Sequence, residues 1–282
     1  MLDLKRVNSY MKKVAASETQ VFLPKKKNPR YKVGLDLGTA YIVMVVLDEE
    51  NNPVACEKQA ASVLRDGVVV DYTGALNISR ALRQKLEDRI GTELNQCAIA
   101  MPAGTESSAR THRYVAEGAG LRVTNVLDEP TAANSIYNIE NGVVVDIGGG
   151  TTGLAIFKDG KVTQIYDEPT GGTHVTLVLA GNQRISIDEA EAIKMDYARH
   201  KEIMPIIRPV IEKMASIVIR HINPSETDTI YLCGGTSCLT DIEKVFKKVT
   251  GIETIKPADP FLVTPAGIAA NCILDNETEE EY

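Results

Sequence analysis

Two segments place an aspartate and a run of glycines and hydroxyls between apolar stretches: Gly34-Leu-Asp-Leu-Gly-Thr-Ala40 and Val145-Asp-Ile-Gly-Gly-Gly-Thr-Thr-Gly153. A second apolar run follows each one, Tyr41 to Leu47 and Leu154 to Phe157. Each therefore reads as a strand, a tight turn and a returning strand. Glycine lets backbone N–H groups come close to an anion, and a concave run of amides cradles phosphate. The amides around Gly38, Thr39 and Ala40, and around Gly148, Gly149, Gly150, Thr151 and Thr152, are two such cradles. Asp36 and Asp146 stand at their mouths, where a carboxylate holds magnesium through water. The two turns lie about 110 residues apart. That spacing predicts two lobes gripping one nucleotide from opposite sides.

The elements that must carry these turns fit a soluble α/β protein. The chain has 282 residues, 44% hydrophobic and 24% charged, enough for two domains around sizeable cores. No apolar run approaches the ~20 residues of a membrane span, and the first residues lack a secretory signal. Five cysteines (Cys56, Cys97, Cys233, Cys238, Cys272), odd in number and mostly in apolar strands, fit reduced thiols and a cytoplasmic setting. Cys233 and Cys238 have no second Cys or His pair beside them, so no zinc site is expected. The net charge of −7 is uneven. Residues 1–30 carry eight Lys/Arg against two Asp/Glu, which leaves −13 on the remainder and argues against nucleic acid as a partner.

Leu4, Val7, Met11 and Val14 recur at helical spacing in a basic segment that ends in the linker Pro24-Lys-Lys-Lys-Asn-Pro29. Two readings stay open: a helix that docks a partner or an acidic surface, or one that lies on its own domain. From Tyr31 strands are expected at 32–37, 41–47 and 53–60. A helix from Thr73 as N-cap to Arg89, with Gly91 as its stop, follows. A strand at 96–101, a helix near 107–119, a strand at 122–127 and a helix opening at Asp128 complete the first cycle. The second has strands at 143–146, 153–158 and 161–166, then helices from Gly171-Gly172 to Ala180, at 186–199 and at 206–222. A strand at 228–232 runs into Gly234-Gly235-Thr236. A helix at 240–248, a strand at 253–255 and a helix from Thr264-Pro265 close the chain. Three strands followed by alternating helices and strands thus occurs twice.

On these residues the chain resembles the actin and heat-shock-chaperone ATPase superfamily. Five signature elements come in order over residues 31–273: Asp36-Leu-Gly-Thr39, Asp128-Glu-Pro-Thr-Ala-Ala133, Asp146 with Gly148 to Thr151, Gly234-Gly-Thr236, and Thr264-Pro-Ala-Gly-Ile-Ala-Ala270. Met101-Pro-Ala-Gly104 is similar to the chaperone branch in particular. Within the superfamily the chain is most similar to the ethanolamine-utilisation EutJ family, on Arg65-Asp-Gly-Val-Val-Val-Asp71, Gly171-Gly-Thr-His174, Ala180-Gly-Asn-Gln-Arg184 and Pro209-Val-Ile-Glu-Lys-Met-Ala215. The resemblance implies a two-lobed α/β fold of duplicated ribonuclease-H-like domains. Lobe I would span 31–141, completed by a C-terminal helix at 264–275, and lobe II would span 142–263. Residues 1–30 would be a basic arm and 276–282 an acidic tail. Only about 60 residues separate Gly172 from Gly234, so the upper part of lobe II would be reduced.

The resemblance also implies ATP and Mg2+ as cofactors. Asp36, Glu129 and Asp146 would be catalytic, with the two aspartates facing magnesium through water and Glu129 orienting the attacking water. Glu129 has a second reading, a helix N-terminal carboxylate favoured by the dipole. Gly171, Gly172, Lys194, Gly234, Gly235 and Thr236 would join the two cradles around the nucleotide; Lys194 is otherwise an exposed helix lysine. His174 is expected to be a polar neighbour of the site. One departure is chemical: Gly153 stands where the chaperones have Asp and actins His, which implies weak hydrolysis. No motif marks the chaperones' first-lobe catalytic lysine, although Lys58, Arg65 and Lys85 are near. Ethanolamine ammonia-lyase or bacterial microcompartment proteins would be partners of a chaperone-like factor, with the basic helix directing encapsulation. The alternatives are an actin-like filament scaffold, a nucleotide-binding pseudo-ATPase or a small-molecule kinase.

Overall fold

A computed structural model describes residues 3–101 and 106–274. Helix α1 (Leu4–Ala16) leads into strands β1 (Tyr31–Leu37), β2 (Tyr41–Asp48) and β3 (Pro53–Ala60). The two-residue strands β4 (Leu64–Arg65) and β5 (Val68–Val69) precede α2 (Tyr72–Ile90), β6 (Gln96–Met101), α3 (Glu106–Gly118), β7 (Arg122–Asp128) and α4 (Glu129–Tyr137). The pattern then repeats with β8 (Gly142–Ile147), β9 (Thr152–Lys158), β10 (Lys161–Glu168), α5 (Gly172–Gln183), α6 (Ile187–Met195) and α7 (His200–His221). Strand β11 (Thr229–Cys233), α8 (Ile242–Thr250), β12 (Glu253–Ile255) and α9 (Val263–Ala270) complete it.

The two halves have the same sheet. The first is ordered β3-β2-β1-β6-β7 and the second β10-β9-β8-β11-β12. In each, the first three strands are antiparallel and the last two join in parallel. The interior strands β2 and β8 are buried along six consecutive residues, as expected where helices or a second layer cover both faces. Edge strand β10 is exposed for most of its length. One core lies under each sheet. A third joins α1, α4 and α9 to residues of β2, β8 and β9, and so ties the halves together. Helix α9 packs on β1, β2 and α4, which brings the end of the chain back to the first sheet.

The basic helix takes the second of its two readings. Val7, Met11 and Val14 have no exposure and belong to the joining core. The Arg6 guanidinium donates to the carbonyls of Ile136 and Tyr137 at the end of α4, and the Asn8 side chain accepts from the Ala258 amide. Helix α1 is therefore an integral part of the body. Met11→Ala is expected to lower unfolding free energy by about 2–5 kcal/mol in urea titrations, the usual cost of emptying a buried site. A variant as stable as the parent would mean that α1 is not held in the core.

Several boundaries differ from the sequence reading: α6 ends at Met195 rather than 199, α5 runs on to Gln183 rather than Ala180, and α8 spans Ile242–Thr250 rather than 240–248. Asp71, not Thr73, caps α2, because its carboxylate accepts from the Gly74 amide. Helix α7 begins at His200, not 206, with Pro205 and Pro209 inside it. Both prolines lie on the exposed side, where the carbonyls they leave unbonded meet water. Helix α9 ends at Ala270 rather than 275, as the Asn271 side chain turns back to the Gly267 carbonyl and to Ser135. Pro102 to Gly104 and the acidic tail lie outside the described residues.

Candidate functional site

A cavity of about 320 Å³ opens between the two halves, and both glycine-rich turns line it. The second turn shows how its amides are aimed. The Gly148 carbonyl accepts from the Gly172 amide (3.0 Å) and the Thr236 hydroxyl (2.7 Å). The Gly149 carbonyl accepts from the Thr173 amide (2.8 Å) and hydroxyl (2.9 Å). In a planar trans peptide the N–H points opposite to the C=O. Tying these carbonyls to the start of α5 and to the 234–236 turn therefore aims the amides of Gly149 and Gly150 the other way. Among the described hydrogen bonds, none has the amide of Thr39, Ala40, Gly149, Gly150 or Thr151 as donor. Free backbone donors lining a cavity are the requirement for a phosphate cradle.

Carboxylates converge at the floor. Asp36 and Asp146 are the penultimate residues of the equivalent strands β1 and β8 of the two sheets, and Glu129 opens α4 after its N-cap Asp128. Asp146 is 4% exposed; the Thr264 hydroxyl donates to it. Burial raises its pKa against the lowering effect of hydrogen bonds from Thr264 and Cys233. Burial and the Asp146 charge push Asp36 up to about 7. Glu129 is raised well above the ordinary carboxylate range by burial, then by the charges of Asp146, Asp36, Asp167 and Asp128. No ion pair between described residues involves any of these groups.

Such a set fits an outer-sphere magnesium ion. Among the described residues, no three His, Cys, Asp or Glu stand close enough to ligate one ion directly. Magnesium keeps several waters and takes the rest of its shell from phosphates, so two or three carboxylates facing its waters suffice. Asp36 and Asp146 would hold that shell, and the ion would supply charge neutralisation of the phosphates.

At the other end, Gly234, Gly235 and Thr236 follow β11 and line the cavity with Glu191, Lys194, Tyr197 and His200. Gly234 has φ 87°, and a Cβ there would fall 2.2 Å from Asp146 Oδ1. Only glycine lets this turn cross behind the carboxylate. Lys194 is not a free surface lysine: its side chain is 11% exposed, and its Nζ donates to Glu191 (2.7 Å), Thr176 (3.0 Å) and the Gly172 carbonyl (3.3 Å). His200 fixes the corner that carries it. The Thr240 amide donates to Nδ1, so Nε2 bears the proton and donates to the Lys194 carbonyl at 2.9 Å. His174 sits beside the Gly171 amide, outside the cavity lining.

Of the expected residues, Asp36, Gly38, Thr39, Ala40, Glu129, Asp146, Gly148 to Thr151, Lys194 and Gly234 to Thr236 line the cavity. Thr152, Gly171 and Gly172 stand one step behind it. The Thr152 hydroxyl donates to the Thr170 carbonyl, and Gly172 carries an amide that holds Gly148. Lys58 lines the cavity, but its Nζ is paired with Glu18 at 2.7 Å and lies over the Phe261 ring. Arg65 and Lys85 are not among the lining residues. Sequence reasoning missed Thr264 and His200, whose positions depend on packing, and Asp167, considered below.

The chain is 43% identical over 240 residues to the ethanolamine utilization protein EutJ of Escherichia coli K12, an alignment spanning 85% of each chain. It belongs to the EutJ family. The crystal structure of the EutJ of Carboxydothermus hydrogenoformans superposes with a TM-score of 0.88 at 46% identity, covering 95% of this chain and 99% of that one. The family profile described as cell division protein FtsA matches residues 143–271, and that described as MreB/Mbl protein matches residues 52–179. MreB5 of Spiroplasma citri bound to AMPPNP gives a TM-score of 0.67 at 20% identity over 86% of this chain and 95% of that one. EutJ and MreB thus share the two-lobed actin-like fold. No described helix of this EutJ-family chain is long and apolar enough to cross a membrane.

The crowded carboxylates set a pH dependence. Asp36 keeps its proton in the folded chain up to about pH 7, whereas the unfolded chain loses it near 3.8. Between those values the folded state binds more protons, so stability falls as pH rises. Asp167, also raised to about 7, acts with the same sign. Without nucleotide, Tm should fall between pH 5.5 and 7.5, and Asp36→Asn should flatten that slope. Equal slopes in parent and variant would contradict the assigned crowding.

Proposed function

We propose that this chain is a Mg-ATP-binding clamp with weak hydrolysis, acting as a chaperone-like factor in ethanolamine utilisation. Ethanolamine ammonia-lyase or microcompartment proteins are the expected clients. The observation that carries the reading is the pair of turns with undonated amides facing one cavity, with Asp36 and Asp146 beside them. ATP would touch both halves at once, so binding would favour the closed arrangement and reshape the outer surfaces. The resemblance of Asp128-Glu-Pro-Thr-Ala-Ala133 to the chaperone branch supports a chaperone-like cycle over a kinase, and Gly153 supports slow turnover.

Calorimetric titration of the full chain with Mg-ATP, with phosphate release followed in the same samples, tests this. Saturable 1:1 binding with slow release supports a nucleotide-sensing clamp. Rapid release would place an ATPase cycle at the centre, and absence of binding would overturn the nucleotide reading.

A further inference from the structure

The position that Gly153 leaves without a side chain is filled from the neighbouring strand. Asp146 on β8 pairs with Gly153 on β9, and Gly153 pairs with Asp167 on β10. Directly paired residues on adjacent strands project to the same face. Asp146 and Asp167 therefore face the same side, with a residue lacking a side chain between them. Two strand spacings separate their backbones by about 9.5 Å. That gap accommodates two carboxylates and hydrated groups between them. Asp167 reaches into it: its Oδ1 lies 3.4 Å from where a Cβ at Gly153 would stand, beside the ring of Pro130 that follows Glu129. Although part of the residue is exposed, Oδ1 itself is buried and has no hydrogen-bond partner.

We propose that Asp167 is a positioning residue for hydrolysis, replacing from β10 the carboxylate that Gly153 does not provide and ordering the magnesium-bound water shell opposite Asp146. This rests on the Mg-ATP reading above. The equivalent row of the first half is Asp36, Val43 and Lys58, all of which line the cleft; in the second half Asp146 lines it, and Asp167 is set behind the lining. The Asp167 charge is one of those that raise Glu129, which places it within electrostatic reach of the floor. The Thr151 hydroxyl is close enough to lower the pKa of the same carboxyl group, which links it to the second phosphate turn. The free Oδ1 lacks only a donor, and a metal-bound water is one.

The test compares the parent, Asp167→Asn, Asp167→Ala and the double variant Gly153→Asp/Asp167→Ala, all as full chains. Asparagine keeps the shape and an acceptor for Thr151 but removes the charge. The double variant moves the carboxylate back to β9, where removing Asp167 also frees the space that its Oδ1 occupies. ADP and ATP affinities are measured by calorimetry across a Mg2+ series and in EDTA, and single-turnover hydrolysis is followed alongside. Mn2+ in the ADP complex is observed by paramagnetic resonance. Asp167→Asn should leave ADP binding in EDTA within about twofold and lower the metal-dependent gain and the turnover rate about 10- to 100-fold. Its Mn2+ spectrum should change, and the double variant should recover most of what Asp167→Ala loses. A metal series for Asp167→Asn that matches the parent, or a folded double variant that recovers nothing, would overturn the assignment while Mg-ATP binding by the parent stands. A parent without metal-dependent nucleotide binding would overturn both.

Discussion

Replacing Asp146 by asparagine is expected to weaken Mg-ATP binding about 10- to 100-fold and to leave ATP binding in EDTA nearly unchanged. Asparagine preserves the volume and can still accept from Thr264, so the turn behind it should hold. What disappears is the charge that faces the magnesium waters, and a hydrogen bond to a charged group contributes about 1.5–3 kcal/mol. The same change should stabilise the nucleotide-free protein, because Asp146 raises the pKa of Asp36 and Glu129 by its charge. Binding and stability would then move in opposite directions, as expected where a site keeps like charges together for function. Equal losses with and without metal would mean that the cradle had collapsed. No loss in either would place the metal elsewhere.

Gly267→Ala should cause the largest loss of stability, about 3 kcal/mol or more. Gly267 lies where α9 crosses α4, and an added Cβ would fall 1.9 Å from the Ala132 carbonyl oxygen and 2.5 Å from its carbon. These are backbone atoms of a helix, so no rotamer change relieves the contact and one helix must shift. Helix α9 also presses on β1, where a Cβ at Gly34 would meet the Ala269 backbone nitrogen at 2.4 Å. The crossing is thus fixed on both sides. Since α4 begins at Glu129 and α9 carries Thr264, a shift there would displace the carboxylate floor as well. Denaturant titration should show a lower midpoint, and calorimetry on the folded fraction should show weaker Mg-ATP binding. A variant with parent stability would mean that the helices cross less closely than the structure shows.

What was legible in the sequence was local. The two phosphate turns, the 234–236 turn and the start of α4 are each specified by a few consecutive residues whose backbone demands only glycine, a cap or a proline satisfies. The duplicated sheet followed from the order of apolar runs. Other features needed contacts between distant residues. Asp167 is an unremarkable carboxylate on an exposed strand until its register with Gly153 and Asp146 is known. The stripe Val7, Met11, Val14 shows that a helix has an apolar face, but not that this face closes a core shared by α4, α9 and β8. The expected start of α7, at 206, fell just past Pro205, and only the exposed placement of that proline shows why the helix runs through it from His200. For Lys194 the sequence left two readings, a nucleotide contact or an exposed helix lysine, and only the approach of α5 to α6 shows Thr176 and Gly172 against it.

The central claim is that one nucleotide is held by backbone amides from both halves. Hydrogen exchange of the full chain, followed in peptides covering residues 34–41 and 145–153 with and without Mg-ATP, tests it most directly. The account predicts slower exchange in both peptides on adding Mg-ATP, at the amides of Thr39, Ala40, Gly149 and Gly150. Protection confined to one peptide, or absent from both at saturating nucleotide, would contradict it.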